Sequence, residues 1–177
     1  FFASLHSEIS LDSYMLWLNK FSQDTGIEVS IPQVKTEKEF ALFLAGLNFD
    51  YTINIKGLIR LAMLVSEGGC SDARIEKFRE RIGPDEFNII CSAMHDTMDI
   101  GTGSIKKERH RGTNPSTGIR EFMWGKTGTV IAGTNSHCGY GLFLGGYRNF
   151  GIVAILRKGT GAVAADYSAA TVEMNYR

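Results

Sequence analysis

Apolar residues recur at helical steps through the first two thirds of the chain and at strand-like steps after about residue 120. Over 4–20, Leu5, Ile9, Tyr14, Leu16, Trp17 and Phe21 fall on or near one helical face. Gly26 is placed to stop that helix, and a polar, extended stretch containing Pro32 follows. Lys35-Thr36-Glu37-Lys38-Glu39 opens a predicted short helix that buries Phe40, Phe43 and Leu44. Asn48 to Asn54 reads as a loop. Ile55, Leu58, Ile59, Ala62, Met63 and Val65 then form the clearest helical run, with Thr52 or Asn54 as its cap and Gly68-Gly69 as its end. Gly83-Pro84-Asp85-Glu86 marks another helix start, with proline in the first turn and acids against the positive end of the dipole. Phe87, Ile90, Cys91, Met94 and Met98 follow its apolar face.

A loop rich in Gly, Thr and basic residues covers 101–120, and then the period changes. Residues 122–131, 139–147 and 151–157 read as three strands, separated by Gly133-Thr134-Asn135-Ser136 and by Arg148-Asn149. Such short connections favour antiparallel pairing. A last helix is predicted over 163–175, with Ala164, Ala165, Ala169 and Val172 facing inward. Its small residues would let it lie close on a sheet. The chain has no internal repeat and no linker-like low-complexity segment.

Composition narrows the functional classes. The 177 residues suit one domain, and 44% are hydrophobic, enough for a sizeable core. Nineteen basic and nineteen acidic side chains cancel, so there is no general electrostatic case for nucleic acid or an anionic membrane. No run of 18 apolar residues is present to span a bilayer. The sequence starts at Phe1 and contains no charged n-region or small-residue cleavage site, so any targeting signal is expected to lie outside it. Cys70, Cys91 and Cys138 are too few and too scattered for a disulfide framework or a zinc site, and are read as buried thiols.

The candidate chemistry lies in the first predicted strand. Lys126-Thr127-Gly128-Thr129 interrupts an apolar run with an ammonium, two hydroxyls and a glycine. Alternation sends Lys126 and Gly128 one way and Thr127 and Thr129 the other. On an open sheet edge, the backbone N–H and C=O groups could pair with an extended peptide. Gly128 would let another backbone approach. Lys126 would supply positive charge for a carboxylate or a proton relay, and a backbone N–H could face a developing oxyanion. These are the needs of acyl transfer on a peptide. The bland alternative is a strand end where lysine snorkels and Thr-Gly-Thr is merely compatible with a strand. A lone Lys-Thr-Gly triplet does not decide between them.

Other polar clusters take their bland reading. Residues 105–111, "IKKERHR", read as a solvated loop, with contact to an anionic polymer or lipid as the alternative. His95-Asp96 and Asp99 share a helix but lack a further ligand at metal-binding spacing. His137 and Cys138 are adjacent on a predicted strand and so point apart rather than forming a nucleophile pair. Trp17 and Trp124 are expected in the core.

Three stretches carry a family resemblance, in the family's order. They are "GLNFDYTINIKGLIRLAMLVSEGG" at 46–69, "MHDTMDIGTGS" at 94–104 and "WGKTGTVIAGTNSHCGYGLFLGGYRNFGIVAILRKG" at 124–159. Together they resemble the transpeptidase domain of penicillin-binding proteins, the serine acyl-transferases that cross-link peptidoglycan. Residues 46–69 resemble the helix after the active-site serine region. Residues 94–104 resemble the segment closing in Gly-Thr-Gly before the active-site strand. Residues 124–159 resemble the Lys-Thr-Gly strand and the two antiparallel strands after it. Serine β-lactamases share the Lys-Thr-Gly element, but the middle helix and the Gly-Thr-Gly approach fit the penicillin-binding proteins better. The resemblance implies an α/β fold of the α+β sandwich kind, an antiparallel sheet with helices on both faces. It would be an incomplete β-lactamase/transpeptidase-like fold. Residues 1–177 would be the C-terminal part of a transpeptidase domain, mainly helical over 1–110, with the Lys-Thr-Gly strand, two further strands and the terminal helix over 119–177.

Two of the family's catalytic elements have no counterpart in place. Ser-x-x-Lys, which holds the nucleophile, occurs only as Ser104-Ile105-Lys106-Lys107, in the basic loop rather than far upstream on a buried helix. Ser-x-Asn does not occur. "FFASLHSEISLDSYMLWLNKFSQDTGI" at the start resembles the family segment that follows Ser-x-Asn. The chain is therefore expected to begin just past that motif, with the nucleophile outside it. It should be inactive alone and should expose an apolar sheet edge and an apolar surface that the missing part would cover.

The resemblance also implies roles. Lys126 would face the proton-relay serine and act in catalysis. Thr127 and Thr129 hydroxyls would bind the carboxylate of a terminal D-alanine or of a β-lactam. Gly128 would allow substrate approach, and the Thr129 N–H would give one of two oxyanion-hole donors. The implied partners are a peptidoglycan stem peptide ending in D-Ala-D-Ala, β-lactams and the N-terminal remainder of the domain. No nucleic acid, metal or organic cofactor is implied. The implied location is extracytoplasmic, anchored by a segment outside this chain. Two alternatives stand beside this reading: a non-catalytic transpeptidase-like module that binds a peptide or partner, and a serine β-lactamase relative.

Overall fold

The computed structural model describes residues 7–30, 33–44, 52–66, 71–103, 122–131 and 139–175. The chain divides into two compact units, Phe1–Gly57 and Leu58–Arg177.

The first unit is built on two helices. Helix α1 spans Leu11–Thr25, shorter at its start than the predicted 4–20 and longer at its end. Ser10 sets the start, because its side-chain oxygen accepts the Ser13 N–H at 3.2 Å. Gly26 ends it as predicted, in the left-handed conformation at φ 66°, with its N–H on the Ser22 carbonyl at 2.8 Å. Strand β1 is Val29–Ser30. Helix α2 is Glu37–Leu44 and opens with a reciprocal cap. Thr36 Oγ1 accepts the Glu39 N–H at 3.2 Å, and the Glu39 carboxylate accepts the Lys35 and Thr36 N–H groups at 2.7 and 3.2 Å. Leu18, Phe40 and Phe43 form the core here, with Leu11, Tyr14, Val34 and Leu44 packed around them.

Two expectations are corrected in this unit. Trp17 is 52% exposed and Leu16 is 71% exposed, so neither belongs to the core. Trp17 stacks instead along the outside of α1, with ring centroids 5.4 Å from Phe21 and 6.2 Å from Tyr14. The buried stripe runs through Leu18 and Phe21, a face rotated from the one the spacing suggested. The predicted loop over 48–54 also contains strand β2, Thr52–Ile53, which pairs antiparallel with β1. A strand of two residues is too short to leave a periodic signal.

Helix α3, Ile55–Leu64, follows at once. Of the two caps considered, Asn54 does the capping: its side-chain oxygen accepts the Gly57 N–H at 2.7 Å. The predicted stop at Gly68-Gly69 lies outside the described residues. Helix α4, Ala73–Ile82, has no counterpart in the sequence reading. Asp72 caps it through the Arg74 N–H at 3.0 Å and also pairs with Arg60 at 2.9 Å. Ile75 is its one fully buried residue, and the charged residues around it hide the helical period. Helix α5, Pro84–Asp99, starts at the predicted proline.

Strands β3 (Met123–Ile131), β4 (Gly139–Tyr147) and β5 (Phe150–Arg157) form an antiparallel sheet in the order β3-β4-β5. All three lie within a residue of their predicted bounds. The register pairs Lys126 with Leu144 and Thr127 with Phe143. Helix α6, Gly161–Asn175, begins two residues before its predicted start. Ala164, Ala165, Ala169 and Val172 all face inward as expected, against Met98, Met123, Phe143 and Tyr147. Alternation along β3 turns Trp124 the other way, where it is buried with Ala62 and Val65 and flanked by Met94 and Leu144. The molecule is thus a mixed α/β structure in which a three-stranded antiparallel sheet packs against helices. Among the described residues no helix is long and apolar enough to cross a membrane.

Candidate functional site

Residues Lys126, Thr127, Gly128 and Thr129 lie in the middle of β3, and among the described residues β3 has β4 as its only strand neighbour. Its outer edge is therefore one of the two edges of the described sheet that pair with no further strand. All four residues line one cleft of about 380 Å³, which is completed by Thr102, Thr160 and Ala162. Three separate segments thus converge: the edge strand, the turn after α5 and the first turn of α6.

Each hydroxyl is placed by a distinct local cause. Thr127 is turned under α6 and is only 6% exposed. The first residue of α6, Gly161, makes this possible. A Cβ on Gly161 would stand 2.6 and 2.7 Å from the Gly128 O and N atoms and 2.9 Å from the Thr127 Cβ, so only glycine fits. Gly161 therefore packs directly on the Gly128 backbone. At Gly128 itself a Cβ would touch nothing nearer than Leu142 Cβ at 3.7 Å.

Thr129 is exposed, and its Oγ1 accepts the Gly161 N–H at 3.0 Å. Thr160 caps α6: its Oγ1 accepts the Val163 N–H at 3.3 Å, and its carbonyl accepts the Ala164 N–H at 3.0 Å. The Thr102 and Thr127 hydroxyls are hydrogen-bonded to each other. Thr102 sits on a tight turn in which the Asp96 carbonyl accepts both the Ile100 and Gly101 N–H groups at 2.9 Å and the Thr97 carbonyl accepts the Gly103 N–H at 3.0 Å. Lys126 is exposed, and its ammonium donates to the Thr127 carbonyl.

This arrangement has a chemical polarity. Thr129 and Thr160 each use a lone pair to accept a backbone N–H, which leaves their O–H protons for other acceptors. A hydroxyl pair such as Thr102 and Thr127 spends one proton on itself and has one left. With the Lys126 ammonium and the positive end of the α6 dipole, the cleft offers donors and positive charge. Its complement is an anionic group rich in acceptors, such as a carboxylate.

The cleft continues into an apolar surface. Val130, Tyr140 and Ile155 are exposed, and the register sets them on the sheet face that carries Lys126 and Gly128, around half-buried Leu142. An exposed apolar surface of this kind was expected beside the Lys-Thr-Gly strand.

Ser104 and Lys107, the basic run 105–111, and His137-Cys138 lie outside the described residues, as does Cys70. Cys91 is half-buried rather than fully buried, with Sγ 3.8 Å from the Val65 carbonyl. His95, Asp96 and Asp99 are on α5. Among the described residues no three His, Cys, Asp or Glu side chains gather closely enough to hold a metal ion. Thr102 and Thr160 were not identified as site residues from the sequence. The Gly-Thr-Gly at 101–103 was the one available signal for Thr102, and Thr160 had none beyond its place before a predicted helix.

No protein-family model, curated protein or solved structure matches the chain.

Proposed function

We propose that the cleft receives the C-terminal D-alanyl-D-alanine of a peptidoglycan stem peptide, and that the chain is the C-terminal part of a penicillin-binding D,D-transpeptidase. The observation that carries the proposal is the convergence of Lys126, Thr127 and Thr129 on one donor-rich cleft at an open sheet edge. The order of the motif-like stretches and the antiparallel strands after Lys-Thr-Gly support the same family, whose sheet is covered by helices on both faces.

In this reading the substrate lies along β3 as an added strand, with its terminal carboxylate among the threonine hydroxyls. A serine outside this chain attacks the carbonyl of the penultimate D-alanine. The C–N bond breaks, the terminal D-alanine leaves with the proton as a free amine, and an acyl-serine remains. An amine of a second stem peptide then displaces the serine. Lys126 lends positive charge and a place in the proton path. The Thr129 N–H is one oxyanion donor, a type of contact whose loss costs about 3 kcal/mol of transition-state stabilisation. A β-lactam would acylate the same serine. The remainder of the domain would cover the apolar surface beside the cleft, and the site would work outside the cytoplasm.

Labelling with a fluorescent penicillin tests this. The protein carrying this chain together with its preceding region should form a covalent adduct, and the 177-residue chain alone should not. Lys126→Ala in the longer protein should slow acylation about a hundredfold. Absence of any adduct overturns the enzyme reading. That result would favour a binding module without catalysis.

A further inference from the structure

The best-enclosed hydroxyl of the cleft, Thr127, does not stand alone. Its partner Thr102 comes from 25 residues earlier in the chain and is held by the turn after α5. We propose that Thr102 is a positioning residue of the anion subsite: its hydroxyl locks Thr127 in one rotamer and sets the pair to present a single O–H to a carboxylate. This inference rests on the reading of the cleft as a carboxylate site.

Thr127 is nearly buried beneath Gly161, and its hydroxyl is bonded to the Thr102 hydroxyl, which reaches it from the cleft side. A buried hydroxyl without a partner seeks one by rotating about χ1. The acceptor nearest in sequence is the backbone of its own strand, as is usual for threonine. Rotation of that kind would withdraw the proton from the cleft. Thr102 is well placed to prevent it because its turn cannot easily shift. A Cβ on Gly101 would stand 2.9 Å from the Thr97 carbonyl oxygen, and one on Gly103 would stand 2.7 Å from Met98 Sδ, so the turn is closely packed on both sides of the threonine. Met98 belongs to the same core as the residues that α6 covers. The three hydroxyls at 102, 127 and 129 are therefore fixed from two directions, by the α5 turn and by the start of α6.

The test compares Thr102→Val, which keeps the shape and removes the hydroxyl, with Thr102→Ser, which keeps the hydroxyl. The probe is N-acetyl-D-Ala-D-Ala, titrated into the 177-residue chain by NMR, against the same dipeptide with its C-terminal carboxylate amidated. Thr102→Val should weaken binding of the carboxylate form about tenfold and leave the amide form unchanged, and Thr102→Ser should restore wild-type affinity. Equal weakening in both variants, or none in Thr102→Val, overturns the proposal. A further measurement needs no ligand. Three-bond couplings to the Thr127 methyl should report one χ1 rotamer in the wild type and in Thr102→Ser, and averaging in Thr102→Val. A single rotamer in Thr102→Val overturns the proposal even where no probe binds. Lys126→Ala separates the two claims: unchanged carboxylate affinity there defeats the proposed function, whereas a loss there with Thr102→Val unaffected defeats only the role of Thr102.

Discussion

Helices α1 and α6 are each fifteen residues long, yet each packs within its own unit in an opposite way. Helix α1 carries large apolar side chains and leaves two of them, Leu16 and Trp17, in solvent. Helix α6 carries mostly small residues and buries Gly161, Ala164, Ala165, Ser168, Ala169 and Val172. Its small side chains let its backbone lie close to β3 and β4, so the bulky part of the contact comes from Phe143 and Tyr147 on the sheet. What decides burial is therefore the fit between a helix face and its neighbour. The size or apolarity of the helix's own side chains is secondary.

That contrast can be broken from either side. The largest effect should come from Phe143→Ala, which removes the fully buried ring that α6 covers. It should cost about 4 kcal/mol in urea unfolding followed through Trp124. Next comes Ala165→Leu. Adding apolar volume to a site with no exposure should destabilise by about 2 kcal/mol, a sign opposite to simple hydrophobic bookkeeping. The smallest should be Leu16→Ala on α1, which removes the same volume from a side chain already in water and should stay within about 0.5 kcal/mol. The two tryptophans serve as separate reporters, one in each unit. Trp17→Phe should leave the emission of buried Trp124 alone, shielded from a soluble quencher. If Ala165→Leu were neutral and Leu16→Ala costly, the roles of the two helices would be reversed.

The same contrast explains what could be read in the sequence. The strands and α6 were legible to within two residues because short turn-prone segments separate the strands and their apolar pattern is locally complete. Helix α4 was not, since Ile75, Phe78 and Ile82 keep helical spacing but stand among six charged residues between 73 and 82. The misplaced face of α1 has a different cause. Spacing shows that a stripe exists, but which side is covered depends on α2, whose Phe40 and Phe43 settle on Leu18. The candidate site divides along the same line. Lys126 to Thr129 are contiguous and could be singled out together. Thr102 and Thr160 join them only when three segments close on one another, and no local pattern records that closure.

The hydrogen bond from the Gly161 N–H to Thr129 Oγ1 ties the chemistry of the cleft to the melting of a helix end. The opening turn of α6 cannot fray without releasing the hydroxyl it holds. Heat, a denaturant or a substitution that loosens this turn would therefore blunt anion capture well before the sheet itself comes apart, so the site should fail at a lower temperature than the fold.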